Sequence, residues 1–456
     1  MNNNNNDVAY PNPVYAWYVV AILFLAYTVS FIDRQIMTLL IEPIKRDLQI
    51  NDTMISLLHG LAFVIFYTIM SIPLGRLADK KNRKLIICIG IFIWSIMTAV
   101  CGLAKTFWTL FAARIGVGVG EASLSPSAYS MIADYFPKEK RSFAVSLYSM
   151  GIFFGSGMAY IAGGAVVQMA SQSSEIILPL IGVIRPWQLT FFIVGIPGLI
   201  VVALMSTVKE PIRRDLLAVG TGDNHLSIRA TINYLVQRWQ TYTTLIIGFS
   251  LMATLSYGFF TWIPSMFIRT FSWTATDIAY RFGLIVLVFG TSGIVYGGVL
   301  ADKLLAKGKQ DAFFRVAMIA AVGVTGFGVT AVLLPNPTWV LILLVPTVFF
   351  LGFAVGTGPA AMNYITPNQI RGQGIAVFYF ILNILGLFLG PLLVASFTDY
   401  VFKDPLYLRY SVAAFTILVG TSAFAILWAG MKPYRHSVDE FFSREYKQVN
   451  PSIISA

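Results

Sequence analysis

The sequence predicts an all-α membrane protein: twelve transmembrane helices in two pseudo-symmetric six-helix halves. Three observations carry that prediction. The 456 residues are 57% hydrophobic and only 12% charged, about half the charge of a soluble domain. Apolar stretches long enough to cross ~30 Å of hydrocarbon recur along the whole chain. Short motifs of the first half also return, in the same order, in the second.

Taken in order, residues 1–14 begin with the polar run MNNNNND. It lacks the basic and apolar regions of a signal peptide, so the first apolar stretch is expected to remain as a span behind a disordered cytoplasmic tail. Spans are expected at 15–41, 54–75, 85–104, 107–133, 142–168 and 187–207, which make an N-terminal half, 15–207. Membrane-crossing strands would need shorter, alternating segments. Residues 208–241 form a linker that opens with VKEPIRRD and ends in LSIRATINYLVQRW. There Ile228, Ile232, Leu235, Val236 and Trp239 fall at helical spacing, and Ser227 can serve as N-cap. This describes an amphipathic helix on the cytoplasmic membrane surface, read as a tether between halves rather than a regulator.

The second half, 242–430, is expected to hold spans at 242–268, 279–301, 313–334, 338–363, 372–398 and 408–430, before a cytoplasmic tail, 431–456. Trp17, Trp108, Trp187 and Trp339 lie near predicted span ends, where indoles favour the interface. Lys and Arg concentrate in the loops on the side of both termini. That bias puts both termini in the cytoplasm of a multi-pass protein of the cell inner (cytoplasmic) membrane.

The halves repeat each other. GRLADK at 75–80 returns as GVLADK at 298–303, P-x-x-x-R at 137–141 returns at 367–371, and Gly151-x-x-x-Gly155 returns as Gly386-x-x-x-Gly390. Three matches in order, at equivalent positions, argue for duplication and for a transporter architecture. In both glycine pairs close helix packing is the expected role, with bending during conformational change as the alternative.

Composition also excludes function classes. The net charge of +11 is spread over short loops rather than gathered in one patch, so no nucleic acid is expected. Cys88 and Cys101 are ~20 Å apart along one helix, beyond disulfide reach. His59, His225 and His436 have no companions at ligand spacing, so no metal site is expected. No catalytic triad or phosphate loop occurs. The chain reads as a non-enzyme whose only cofactor-like partner is a coupling proton.

Residues 75–84, GRLADKKNRK, resemble the loop signature of the major facilitator superfamily (MFS), with Asn82 where a glycine is usual. RIGVGVGEA at 114–122 resembles its fourth-span motif. FIDRQIM with IEPIK, within 31–45, and VGVGEASLSPSAYSMIADYFP at 117–137 resemble the bacterial branch of the spinster-like transporters. Animal members of that group are associated with export of lysolipids and sphingosine phosphates. The resemblance implies alternating access about a central cavity, with a gating loop of Gly75, Asp79, Arg83 and Lys84. It implies that Asp79 meets the start of the eleventh span near Arg371, and that Asp302 meets the fifth near Arg141, only while the cytoplasmic side is closed. The plainer reading of the loop's basic residues is the positive-inside rule.

Charges inside a span are costly and usually face a bundle interior or a watery cavity. Four stand out in the first half: Asp33, Arg34, Arg114 and Glu121. Arg114 and Glu121 are seven residues apart, two turns on one helix face, and Asp33 is nearly level with Arg114. Burial raises a carboxylate's pKa and a nearby guanidinium lowers it. A carboxylate that loses its arginine partner between states is therefore a proton switch. Asp33 and Glu121 are the candidate proton sites, and Arg34 and Arg114 the candidate substrate or charge-switch partners. A static, packing ion-pair network is the alternative. The second half offers instead the cavity candidates Tyr257, Trp262, Asn363, Tyr379 and Asn383.

The sequence therefore predicts a secondary active, proton-coupled transporter for an amphipathic, lysolipid-like or organic anionic solute, embedded in the lipid bilayer as a monomer by analogy of fold. A carrier of a small sugar acid or carboxylate is the alternative within transport. A non-transporting receptor or scaffold is the alternative outside it.

Overall fold

The computed structural model describes residues 10–172, 176–178, 182–213, 228–367 and 370–449. Residues 1–9 of the expected tail 1–14 and residues 214–227 of the linker, including the proposed cap Ser227, lie outside them. Among the described residues, eleven helices are long and apolar enough to cross a membrane. The expected fourth span is the exception, being split into Phe107–Glu121 and Leu124–Tyr135. Sequence explains the split. Pro126 has no amide hydrogen, and its ring would collide with the carbonyl four residues back, that of Ala122.

Several boundaries move. The first span ends at Leu39, and a short helix, Ile41–Leu48, follows it where a loop was expected. The second reaches back to Asp52, with Asn51 capping it by accepting from the Met54 amide at 2.9 Å. The last helix runs from Leu408 to Val449 rather than stopping near 430. Tyr434 and Val438 are buried beyond that point, and the Tyr434 hydroxyl donates to the Ala361 carbonyl at 3.0 Å, so packing carries the helix on through Pro433. The connection 173–185 holds an antiparallel hairpin, with Ile176 paired to Ile184. Asn82 needs no glycine-like backbone: at φ −64° its side chain accepts from the Leu85 amide and starts the third span.

The described chain packs as two units. The first comprises residues 1–37 and 65–222, the second 38–64 and 223–456. The ends of the first two spans thus pack with the second unit. In the first unit a Cβ on Gly155 would lie 2.8 Å from Phe31 Cβ and 3.1 Å from Thr28 Cα; in the second, one on Gly390 would lie 2.6 Å from the Thr254 carbonyl oxygen. Each repeated glycine motif therefore seats its span against the first span of its half. In the eleventh span Gly386 of the motif also lies in a π-helical turn, Ile384–Leu389, and Gly390 follows it. The second and eighth spans carry matching π-helical turns at Leu57–Leu61 and Val286–Gly290. That correspondence between halves was not visible in the residue types.

Candidate functional site: buried charges and aromatic hydroxyls in the first unit

The break in the fourth span leaves Glu121 as the last residue of its first segment. The neighbouring third span comes very close there. A Cβ on Gly120 would sit 2.7 Å from the Trp94 amide nitrogen and 2.8 Å from the Gly90 carbonyl oxygen, so only glycine fits. Glu121 then faces the first span. Ser30 and Arg34, four residues apart and so on one helix face, both donate to its Oε2: Ser30 Oγ at 2.6 Å and Arg34 Nε at 2.5 Å. The carboxylate is fully buried and the guanidinium almost so. Arg34 also lies over the Tyr67 ring, 4.6 Å from its centroid, and beside Phe31 at 5.0 Å.

Asp33 is 1% exposed, and neither of its carboxylate oxygens has a hydrogen-bond partner among the described residues. Arg114, Arg34 and Glu121 all act on it electrostatically. Arg114 is equally buried, and its Nη1 donates to the Asp33 main-chain carbonyl at 3.4 Å. The four charges nominated from the sequence therefore form one group: Arg34 holds Glu121, and Arg114, expected level with Asp33, donates to the main-chain carbonyl of Asp33. The first span's helical phase accounts for this, because it carries Ser30 and Arg34 together onto Glu121.

The gating-loop residues have distinct surroundings. Arg83 is 1% exposed and donates to Glu210 Oε1 at 2.7 Å, to Ser130 Oγ at 2.9 Å, to the Pro211 carbonyl at 2.9 Å and to Asp134. It is a buried clamp, not a loop charge. The Lys84 amide donates to Glu210 Oε2 at 2.9 Å, and Gly75 packs by Pro126. Arg141 donates to the Ala133 carbonyl at 2.6 Å, and Arg371 to the Thr366 carbonyl at 3.3 Å. Asp302 is exposed, and the Asp79 side chain lies outside the described residues.

Among the cavity candidates, Trp262 is fully buried and donates its indole N–H to the Pro391 carbonyl at 2.9 Å. It serves packing rather than a cavity wall, since a buried indole N–H needs an acceptor. Tyr257 and Asn383 are half-buried, and Asn363 and Tyr379 are exposed. No cluster of His, Cys, Asp and Glu among the described residues could hold a metal.

Sequence reasoning missed a second ionic group, within the second unit at the span ends remote from the termini. Arg269 donates to Glu42 Oε1 at 2.8 Å and, through both terminal nitrogens, to Asp52 at 2.6 and 2.8 Å. Lys45 also pairs with Asp52, whose side chain is fully buried. Beside it, Asp399 accepts from the Thr53 amide and hydroxyl, both at 2.7 Å. Each of these residues looks like an ordinary loop charge in the sequence, and Arg269 lies more than 200 positions from Glu42 and Asp52.

Long apolar helices around a buried, unsatisfied carboxylate and two buried arginines define a polytopic membrane protein built to handle charge inside its spans. The chain belongs to the Major Facilitator Superfamily, whose profile matches residues 23–391. It is 24% identical over 408 residues to an MFS-type efflux pump of Mycolicibacterium smegmatis, covering 86% of each chain. It is 26% identical to protein spinster of Drosophila melanogaster, over 64% of this chain and 46% of that one. To a probable galactarate/D-glucarate transporter of Bacillus subtilis it is 25% identical, over 79% and 81%. Its fold matches the crystal structure of a bacterial homolog of the lysosomal transporter spinster in an inward-facing, unoccupied conformation. The TM-score is 0.78 at 24% identity, over 95% of this chain and 99% of that one. The chain is a membrane transporter of the MFS type rather than an enzyme.

Proposed function

We propose that the chain is a proton-coupled secondary transporter of an amphipathic, lysolipid-like or organic anionic solute, working by alternating access in a bacterial inner membrane with both termini in the cytoplasm. The observation that carries this reading is the Arg34–Glu121 ion pair, buried inside the spans at 2.5 Å, beside the unpartnered carboxylate of Asp33. A buried carboxylate is held ionised by its arginine and favours the neutral form when that arginine leaves. A solute anion that engages Arg34 would loosen its hold on Glu121 and favour proton uptake there. Asp33, with no hydrogen bond to hold its charge, is the second carrier, and Arg114 its partner.

Alternating access also requires that each face of the protein be able to close. The Arg269–Asp52–Glu42 group, which ties residues 38–64 into the second unit, is suited to hold the face remote from the termini shut. Opening would have to break it. The likeness to a galactarate/D-glucarate transporter favours one second reading, a sugar acid as the solute.

Proteoliposomes carrying a pH-sensitive dye test both readings with lysolipids and sugar acids as added solutes. Solute-driven proton flux is expected with wild type, and its loss in folded Glu121→Gln and Asp33→Asn proteins that still bind the solute. Unchanged flux in both variants returns these charges to a packing role. No flux with any solute removes proton coupling.

A further inference from the structure

Four tyrosines from four different helices converge beside Arg34 in the first unit. Tyr27 lies on the first span, Tyr67 on the second, Tyr129 on the second segment of the fourth and Tyr148 on the fifth. Tyr27 and Tyr148 stack with centroids 4.7 Å apart and planes 13° from parallel. Tyr129 meets Tyr148 edge-on at 5.2 Å. The Tyr67 ring carries the Arg34 guanidinium. Tyr148 and Tyr129 hydroxyls are linked to Ser125 at 3.4 Å and Ser149 at 3.3 Å. The phenol groups interact electrostatically with one another, and those of Tyr27 and Tyr67 with Arg34. Phenylalanine would pack such a bundle as well; four tyrosines in one aromatic cluster next to the Arg34 guanidinium, which rests on the Tyr67 ring, need another reason, because each polar group moved out of water has a cost. Tyr148 and Tyr27 are buried, whereas Tyr129 is 39% exposed, so the cluster has an accessible end.

We propose that Tyr67 and Tyr129, braced by Tyr27 and Tyr148 and acting with Arg34, are the receptor for the solute's oxyanion. This rests on the transport reading above and gives it a chemical definition. Phenol O–H groups donate, and a guanidinium presents a planar fork to phosphate or carboxylate oxygens. An oxyanion seated there competes with Glu121 for Arg34. The ring faces of Tyr67 and Tyr129 cover the apolar part next to the anionic group. A lysolipid phosphate and a sugar-acid carboxylate share this chemistry, and the two probes of the experiment separate them.

The test measures binding to the full-length protein in lipid nanodiscs by isothermal titration. The probes are lysophosphatidylglycerol, glucarate and, as an uncharged control, a monoacylglycerol. Wild type is expected to bind one of the two anions. Tyr67→Phe and Tyr129→Phe keep the rings and lose the hydroxyls, so each is expected to weaken that anion about tenfold, the value of one hydrogen bond to a charged group. Monoacylglycerol binding should be unchanged. Anion affinity equal to wild type in both variants overturns the proposal. So does an equal loss for the monoacylglycerol, which would mark a packing role, and so does failure of wild type to bind either anion.

Glu121→Gln keeps this inference separate from proton coupling. It is expected to bind the anion at least as tightly as wild type, since Arg34's competitor is weakened, while solute-driven proton flux is lost. Retained flux in Glu121→Gln with weakened binding in the tyrosine variants sinks the coupling role and leaves the receptor standing. Lost flux with unaltered binding in the tyrosine variants sinks the receptor alone.

Discussion

Replacing Arg269 with methionine removes one side chain and leaves two carboxylates behind. The structure sets the scale of the effect. Three hydrogen bonds from Arg269 reach Asp52 and Glu42, at 2.6 to 2.8 Å. Glu42 is 30% exposed, so water compensates part of its loss, but the Asp52 side chain is fully buried. Removing one partner of a buried ion pair costs roughly 3–5 kcal/mol. Lys45 stays on Asp52, which argues for the lower end, about 3 kcal/mol. If those bonds exist only while this face is closed, the closed-to-open ratio falls about a hundredfold at 1.4 kcal/mol per decade.

A cysteine at position 56 can report that shift. Ser56 is fully buried and donates to the Pro391 carbonyl at 3.1 Å, so Ser56→Cys should react slowly with a membrane-impermeant maleimide added on the side away from the termini. In an Arg269→Met background the rate is expected to rise at least tenfold. Native Cys101, fully buried, is the sentinel for global unfolding, with Cys88 replaced by serine. Unchanged labelling at position 56 in a folded Arg269→Met protein would refute the idea that this group holds the face closed. A rise at position 56 together with labelling of Cys101 would mean the protein had merely come apart.

Other perturbations separate structural from functional charges. Arg83→Met strands Asp134 and Glu210 and should lower unfolding stability in detergent by about 3–5 kcal/mol, while Lys84→Met, losing only a surface contact from its ammonium to the Ser206 carbonyl, should stay within ~0.5 kcal/mol. Arg34→Met should destabilise by a similar 3–5 kcal/mol, and adding Glu121→Gln should recover part of that loss in a double-mutant cycle, because a buried charge no longer lacks its partner. Additive effects would mean that the two do not act as a pair. Gly120→Val should prevent stable insertion, since even a Cβ would lie 2.7 Å from the Trp94 amide nitrogen; a monodisperse protein from membranes would contradict the close approach of the third and fourth spans.

What was legible in the sequence follows from what a bilayer demands. Backbone polar groups must be paired within each segment, so length and hydropathy alone announce long helices, and the same cost makes Asp33, Arg34, Arg114 and Glu121 conspicuous as individual residues. Partner choice was not legible. It depends on helix phase and on the break before Pro126, and a shift of one residue along the first span would turn Arg34 by about 100° away from Glu121. The tyrosines were hidden for a different reason. Membrane helices commonly carry aromatics, so Tyr27, Tyr67, Tyr129 and Tyr148 carry no signal until four helices bring them into one cluster beside Arg34. The Arg269 group was hidden by distance along the chain and by an ordinary appearance, since charges at loop positions are expected to be solvated. The two classes of charge thus differ in how a sequence can betray them. A charge deep in a span is revealed by its cost, whereas one at a span end shows its role only when its partner is known. A search for the conformational latches of such a chain therefore belongs at the span ends, where the sequence offers least warning.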